Sequence, residues 1–260
     1  MSAISANPAD TPLVELTRAG AVARLTLNHP AKYNVLSTPM LAALEAELDA
    51  LATDTTVRVV VIAATGRAFS AGHDLKELGE AAGLESLRTL FAACSRLMLK
   101  IRRLPQPVIA RVQGVATAAG CQLVAMCDLA VASQDARFAV SGINVGLFCS
   151  TPAVPLSRNL PRKFALEMLL TGDFIDAATA RERGLVNRVV PAEALDAEIE
   201  RLAGAIAAKS PAAVAAGKQL FYDQLELGLE AAYTLAGEVM ACNAVGEDAR
   251  RGIESFSARR

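Results

Sequence analysis

Two stretches of this 260-residue chain could do chemistry with main-chain atoms. The first runs from Val108 to Ala132. It opens as a strand over 108–112, breaks at Gly114, and passes through Ala116-Thr-Ala-Ala-Gly120, a run with almost no side chain. From Ala118 to Cys127 it reads as a helix apolar on nearly every face, hence buried. Asp128 then leads into a short strand over 129–132. The first N–H groups of a helix lack internal partners, and small residues let a ligand approach them. The second stretch is a near-continuous apolar strand, Val57 to Ala63, that leaves into the loop 64–75 with Ala71-Gly72 at its centre. Two such turns could each offer one N–H to a single oxygen, and the expected donors are those of Ala71 and Ala119. Donors placed where an oxygen gains negative charge contribute about 2.7–4 kcal/mol each.

The ionisable side chains close to these turns in sequence are His73, Asp74 and Glu77. Asp74 reads as structural, since the turn after Gly72 needs a side-chain acceptor. Histidine titrates near neutrality, so His73 is a candidate proton carrier, with a plain polar contact of the loop as the alternative.

The elements that must position these turns can be read in order. Residues 13–18 and 21–27 alternate apolar and polar residues around Ala19-Gly20, a β-hairpin. Ser37 or Thr38 caps a helix with Pro39 in its first turn and Leu41, Leu44, Leu48 and Leu51 on one stripe. A long helix is expected over 84–103, ended by Pro105 and Pro107. Alternating strands and helices imply an α/β protein of βαβ units with right-handed crossovers, the related turns lying at one end of the sheet. Residues 138–155 read as a long irregular loop, with Ser141, Asn144, Cys149, Ser150 and Thr151 as its polar residues. Helices follow over 161–170 and 177–183, then a strand over 185–190. From 192 onward the chain is helical: 192–208, 211–224, 228–244 and 247–256. The expected division is a disordered lead-in at 1–10, an α/β core at 11–191 and a C-terminal helical region at 192–260. Leu229, Ala232, Leu235, Val239, Met240 and Ala244 give 228–244 more apolar surface than a helical cap can bury, so a subunit interface is expected.

AFSAGHDL at 68–75 and VQGVATAAGCQLVAMCDLAVA at 112–132 resemble the two signatures of the crotonase (enoyl-CoA hydratase/isomerase) superfamily. YNVLS at 33–37 and TGDFIDAATARERGLVNRVV at 171–190 match in order and spacing, and the resemblance covers the chain from Leu13 onward. AGHDLKEL, AAGCQLVA, GINVGLFCSTP and PRKFALEMLLTG are similar to one subgroup in particular. The resemblance implies a spiral of ββα units with a C-terminal helical trimerisation region, trimers that pair into hexamers, and a site for the thioester of coenzyme A. On that footing Ala68, Ala71, Gly72, His73, Asp74, Leu75 and Gly120 line the substrate, and Lys32 lies near the CoA phosphates.

The departures concern the proton carriers. Hydratases of the superfamily carry one glutamate where this chain has Gln122, and a second where Phe138-Ala-Val-Ser-Gly142 places Gly142. Neither residue ionises. Gln122 can position water but cannot take its proton, and general acid–base catalysis is worth about 10²–10⁴-fold.

Composition bounds the rest. A formal net charge of −1 gives no electrostatic reason to expect nucleic acid. No apolar run approaches the roughly 20 residues of a membrane helix. Five cysteines without C-x-x-C spacing, and a start with neither a secretory signal nor Arg, point to reduced thiols in the cytoplasm. Two histidines make a metal site improbable, and no cofactor is expected beyond the CoA of the substrate. The expected function is an acyl-CoA-binding enzyme of the enoyl-CoA hydratase/isomerase type, of fatty-acid or acyl-CoA metabolism, with weak or altered hydratase chemistry. A non-catalytic acyl-CoA sensor or scaffold is the alternative.

Overall fold

The computed structural model describes residues 11–258, so the expected lead-in over 1–10 lies outside the described residues. The chain begins as an antiparallel hairpin, β1 (Val14–Ala19) and β2 (Val22–Leu27). Helix α1 (Thr38–Ala52) is capped by Ser37, whose hydroxyl accepts the Met40 N–H. Then come β3 (Val59–Ala64), β4 (Ala68–Ser70), α2 (Leu75–Glu80) and α3 (Leu84–Arg103). The pattern repeats as β5 (Val108–Val112), β6 (Val115–Thr117) and α4 (Ala119–Met126), and again as β7 (Leu129–Ser133), β8 (Arg137–Ala139) and α5 (Ser150–Asn159). Helix α6 (Arg162–Thr171), β9 (Ile175–Asp176), α7 (Ala177–Arg183) and β10 (Arg188–Val190) precede the terminal helices α8 (Leu195–Ala207), α9 (Pro211–Gln224), α10 (Leu229–Ala244) and α11 (Glu247–Ser257).

In each ββα repeat the first strand joins a six-stranded sheet, β1-β2-β3-β5-β7-β10, and the second joins a four-stranded one, β4-β6-β8-β9. The chain thus winds between two sheets, which is the expected crotonase-like spiral. Strand β3 is buried along its whole length. Its alternate residues face opposite sides, as a strand's must. Val60 and Ile62 join α1 and α3 in the main core, while Val59 and Val61 meet Leu195, Ile199 and Ala203 of α8. Burial on both faces is why its sequence is continuously apolar.

The segment 192–258 divides in its packing. Asp196 of α8 accepts a two-pronged bond from Arg111 at 2.8 and 2.7 Å, and Arg24 approaches it at 3.0 Å. The side chain of Lys218 of α9 is buried, its ammonium held by the carbonyls of Ile101 (2.9 Å) and Gln106 (3.0 Å) and by Asp128 (2.7 Å). Tyr222 donates to the other oxygen of Asp128 at 2.8 Å. Helix α10 buries only Ala232, and Leu229, Tyr233 and Met240 stand exposed.

Two expectations need correction. The long irregular loop at 138–155 holds the end of β8, a 3₁₀ turn over Ser141–Val145 and the start of α5. Pro152 falls in the first turn of α5, where a missing N–H costs no intrahelical bond, and Pro155 sits inside the helix. The strand expected over 185–190 pairs only over Arg188–Val190, because Asn187 turns its amide oxygen onto the Ala130 N–H (2.8 Å).

Candidate functional site

Strands β4 and β6 run parallel, with Ala68 opposite Val115 and Ser70 opposite Ala116, so the turns after them lie side by side. Gly72 sits at φ +85°, which favours glycine. A Cβ built there would stand 2.9 Å from the Ala119 nitrogen, 2.9 Å from the Ala118 Cβ and 3.0 Å from the Thr117 oxygen. The turns therefore abut backbone to backbone. Gly120 serves the packing: a Cβ there would lie 2.2 Å from the Ser70 carbonyl oxygen. Ala118 takes φ +51° and ψ −121°, a conformation L-residues rarely adopt, at a cost of about 1–3 kcal/mol. Two bonds hold it there, Ala118 N–H to Ala139 O and Gln122 N–H to Ala118 O, both 3.0 Å. The forced turn makes Ala119 the first residue of α4, with its N–H outside the helical ladder.

The Ala71 N–H, the other expected donor, donates inside the fold to the Tyr33 carbonyl at 3.0 Å. The N–H groups of His73 and Ala119, one from each of the two turns, are among those that meet no acceptor among the described residues. The register of free donors in the first loop is thus two residues later than expected. Tertiary contact sets it: the 29–34 segment folds over the loop. Asn34, fully buried, accepts from His29 N–H (2.8 Å) and donates to the carbonyls of Thr65 (2.8 Å) and Ala68 (2.9 Å). Ser70 donates to the Asn34 carbonyl at 2.8 Å and accepts from Gly72 N–H at 3.2 Å. Ala68 is buried, and its carbonyl also accepts from the Gln113 amide at 3.0 Å, so both its lone pairs are engaged and it offers nothing to a ligand.

The side chains of the first loop are engaged as well. Asp74 caps α2, accepting from Lys76 N–H at 2.9 Å, a bond that with Lys32 holds its carboxyl below the usual range. Lys32 reaches Asp74 at 3.5 Å from an exposed position. Beside it Arg67 donates to the Tyr33 hydroxyl and lies over its ring, 4.8 Å from the centroid. Glu77 caps α1 from outside that helix, accepting from Thr38 N–H (3.0 Å) and Thr38 Oγ1 (3.2 Å). His73 packs edge-on against Phe91 and places Nδ1 3.3 Å from the Leu36 carbonyl. Nε2 is buried without a partner, and desolvation lowers the pKa of the ring. A neutral wedge describes His73 better than a base. Leu75 opens α2 and is exposed.

Gln122 is 3 % exposed, and its Oε1 is buried with no partner. Gly142 lies in the 3₁₀ turn after β8. A Cβ there would meet the Leu147 carbonyl oxygen at 2.5 Å and the Cys149 Sγ at 2.8 Å, so a thiol and a carbonyl fill the space a side chain would need. Burial pushes the Cys149 thiol up, and that of Cys121 to about 12. The hydroxyls of Thr117, the last residue of β6, and Ser141, beside Gly142, meet at 2.8 Å. This pair, the Asn34 clasp and the Glu77 cap were not legible as site features. Each depends on a contact across 24 or more residues. Among the described residues no three His, Cys, Asp or Glu side chains gather to hold a metal ion.

Residues 17–260 match the family model for enoyl-CoA hydratase/isomerase, and the chain belongs to that family. Its subgroup likeness is to enoyl-CoA hydratase domain-containing protein 3. The mitochondrial protein of that name from Xenopus laevis is 48 % identical over 250 residues, 96 % of this chain and 85 % of its own. The human protein's crystal structure superposes with a TM-score of 0.93 at 45 % identity, covering 95 % of this chain and 98 % of that one. An enoyl-CoA hydratase of Mycobacterium smegmatis superposes at 0.95 with 58 % identity, covering 96 % and 98 %. The expected cytoplasmic location is overturned: five relatives at 46–48 % identity all carry a mitochondrial name. Reduced, unpaired thiols fit any reducing compartment, so cysteine usage could not have separated the two.

Proposed function

We propose that the chain binds acyl-CoA thioesters at the abutting turns, with the N–H groups of His73 and Ala119 directed to the thioester oxygen. The observation that carries this is the 2.9 Å approach of a Gly72 Cβ to the Ala119 nitrogen, with both N–H groups free of protein acceptors. Paired donors of this kind stabilise the enolate formed when the α-carbon loses a proton or the β-carbon gains a nucleophile. Lys32, with Arg67 and Tyr33 beside it, supplies positive charge for the CoA phosphates. Gln122 and Gly142 stand where the family's hydratases carry glutamates, and no side chain of the first loop replaces them. Hydration of an enoyl-CoA is therefore slow relative to ordinary hydratases, with only the electrostatic part of the rate enhancement retained. A non-catalytic acyl-CoA sensor or scaffold is the second reading, favoured by the closure of the Gly142 position. The exposed apolar face of α10 supports assembly into a trimer or hexamer, read by sedimentation at micromolar concentration.

Calorimetry tests the site without mutation. Butyryl-CoA binds more tightly than its thioether analogue S-butyl-CoA, which has the same chain and no carbonyl oxygen. Equal affinity for the two refutes the paired-donor reading. Steady-state hydration of crotonyl-CoA then separates slow enzyme from sensor.

A further inference from the structure

We infer that a cleft at the far end of the large sheet from the paired turns is a second binding site, for a small carboxylate whose apolar body ends in a hydrogen-bond donor. The cleft holds about 280 Å³ between the end of α1, the entry to β3, the 104–107 segment and the junction of α8 with α9. Val57 and Arg58 lead into β3, whose other end feeds the loop of the paired turns, so roughly 20 Å of strand separates the two places. Val57, Pro105, Ile206 and Val214 give the cleft an apolar wall, which suits a compact apolar body.

Gln106 is the buried polar side chain in that wall, 5 % exposed. Its Nε2 donates to the carbonyls of Leu51 (2.8 Å) and Asp54 (3.2 Å). Both partners only accept, so the amide has one orientation, and Oε1 is left as a buried acceptor with no partner. An unpaired buried acceptor is costly, and an O–H or N–H entering the cleft removes that cost. The rim has the opposite need. Arg58 donates to the Lys209 carbonyl at 3.3 Å, and the rest of its donor fork remains. The Lys209 side chain is exposed beside it. The first turn of α9 adds a main-chain donor. Pro211 has no N–H, Ala213 and Val214 donate to Ser210, and the Ala212 N–H is left over at the positive end of the helix. The carboxylates nearby are matched elsewhere: Asp54 by Arg18 and Thr56, and Asp248, which also feels the charge of Arg58, by Arg251 and Ser210. An acceptor inside an apolar cleft and cations at its mouth select a ligand with a donor at one end and an anion at the other.

Calorimetry of the full chain with three probes tests this. 4-Hydroxyphenylacetate carries both features, phenylacetate lacks the hydroxyl, and 2-(4-hydroxyphenyl)ethanol lacks the carboxylate. The first is expected to bind about tenfold more tightly than either of the others. In the double variant Arg58→Ala with Lys209→Ala its advantage over the alcohol falls to near one, while its advantage over phenylacetate stays. Ala215→Phe, which fills the cleft from α9, abolishes binding of all three. Melting curves accompany each variant. Should Ala215→Phe fail to fold, the double variant at the rim carries the test, since Arg58 is half-buried and Lys209 exposed. Saturating butyryl-CoA is expected to leave the affinity for 4-hydroxyphenylacetate unchanged. Four results overturn the inference: equal affinity for the three probes, no binding of 4-hydroxyphenylacetate at millimolar concentration, its displacement by butyryl-CoA, or unchanged affinity in a folded Ala215→Phe protein. Each of them leaves the acyl-CoA reading of the paired turns standing.

Discussion

The absence of a carboxylate at 142 is a matter of space, and this can be measured. In Gly142→Ala the new Cβ must pass 2.5 Å from the Leu147 carbonyl oxygen and 2.8 Å from the Cys149 Sγ. The backbone at 142 is not left-handed, so the cost is contact alone. The Leu147 carbonyl has little freedom to retreat, because the Leu147 N–H closes the same turn onto the Gly142 carbonyl at 3.0 Å. Overpacking costs about 1–3 kcal/mol, and a backbone neighbour puts this case near 3. For a chain of this size that is a melting point about 6–12 °C below native. Cys149→Ala alone removes a buried sulfur, worth about 1 kcal/mol. Combined with Gly142→Ala it also removes one of the two clashes. The double variant should therefore be more stable than the sum of the singles by about 1 kcal/mol, the carbonyl clash persisting. Urea and thermal unfolding of the four proteins give the cycle. A Gly142→Ala protein within 0.5 kcal/mol of native, or strict additivity, refutes the reasoning. The consequence for chemistry is direct: Gln122→Glu with Gly142→Glu gains hydration only if Cys149 is trimmed as well.

Three further outcomes follow from single features. Ala118→Gly should raise stability by about 1 kcal/mol, the relieved strain exceeding the added chain entropy of glycine, and an unchanged or lower melting point refutes it. Lys218→Met should cost about 3–5 kcal/mol by leaving Asp128 and two carbonyls without their cation; hydrogen exchange should rise first in α9 and α10, and Asp128→Asn should restore part of the loss. Burial lowers the His73 pKa from 6.5, so as pH falls the unfolded chain takes the proton first and stability drops between about pH 6.5 and the folded value. The carboxylates of Asp54 and Glu198, held near 2, lose their contribution only at lower pH, so urea midpoints that are level from pH 7 to 5, or a slope unchanged in His73→Asn, refute the buried-wedge assignment.

What the sequence made legible was whatever depends on local pattern. The stripe of α1, the full span 84–103 and the stop at Gly184 follow from periodicity, capping and a left-handed terminus. The paired turns were visible because small residues cluster there. Which N–H groups remain free was not visible, since it depends on Asn34 and Tyr33 folding across the loop from 31 or more residues away. Strand β6 escaped because three residues after Gly114 carry no pattern. That glycine is required because a Cβ would meet the Arg67 carbonyl at 2.0 Å. Helix α5 escaped because 138–155 shows no helical period and includes Gly142 and Gly146.

The same distinction explains how, on the reading proposed above, this site can lack carboxylates at 122 and 142 and keep its shape. The expected binding groups are main-chain N–H donors, fixed by the turn at Ala118, the glycines at 72 and 120 and the clasp of Asn34. None of these depends on the residues at 122 and 142. A proton carrier is a side chain and can be lost by substitution without moving those donors, since Gln122 holds Ala118 through its main-chain N–H alone, which a side-chain change keeps. Position 142 is different, because Cys149 and the Leu147 carbonyl have closed over it. Return of the first carboxylate needs one substitution, and return of the second needs repacking of the turn between β8 and α5. On the acyl-CoA reading proposed above, two changes of such unequal difficulty leave the main-chain donors in place to hold a thioester.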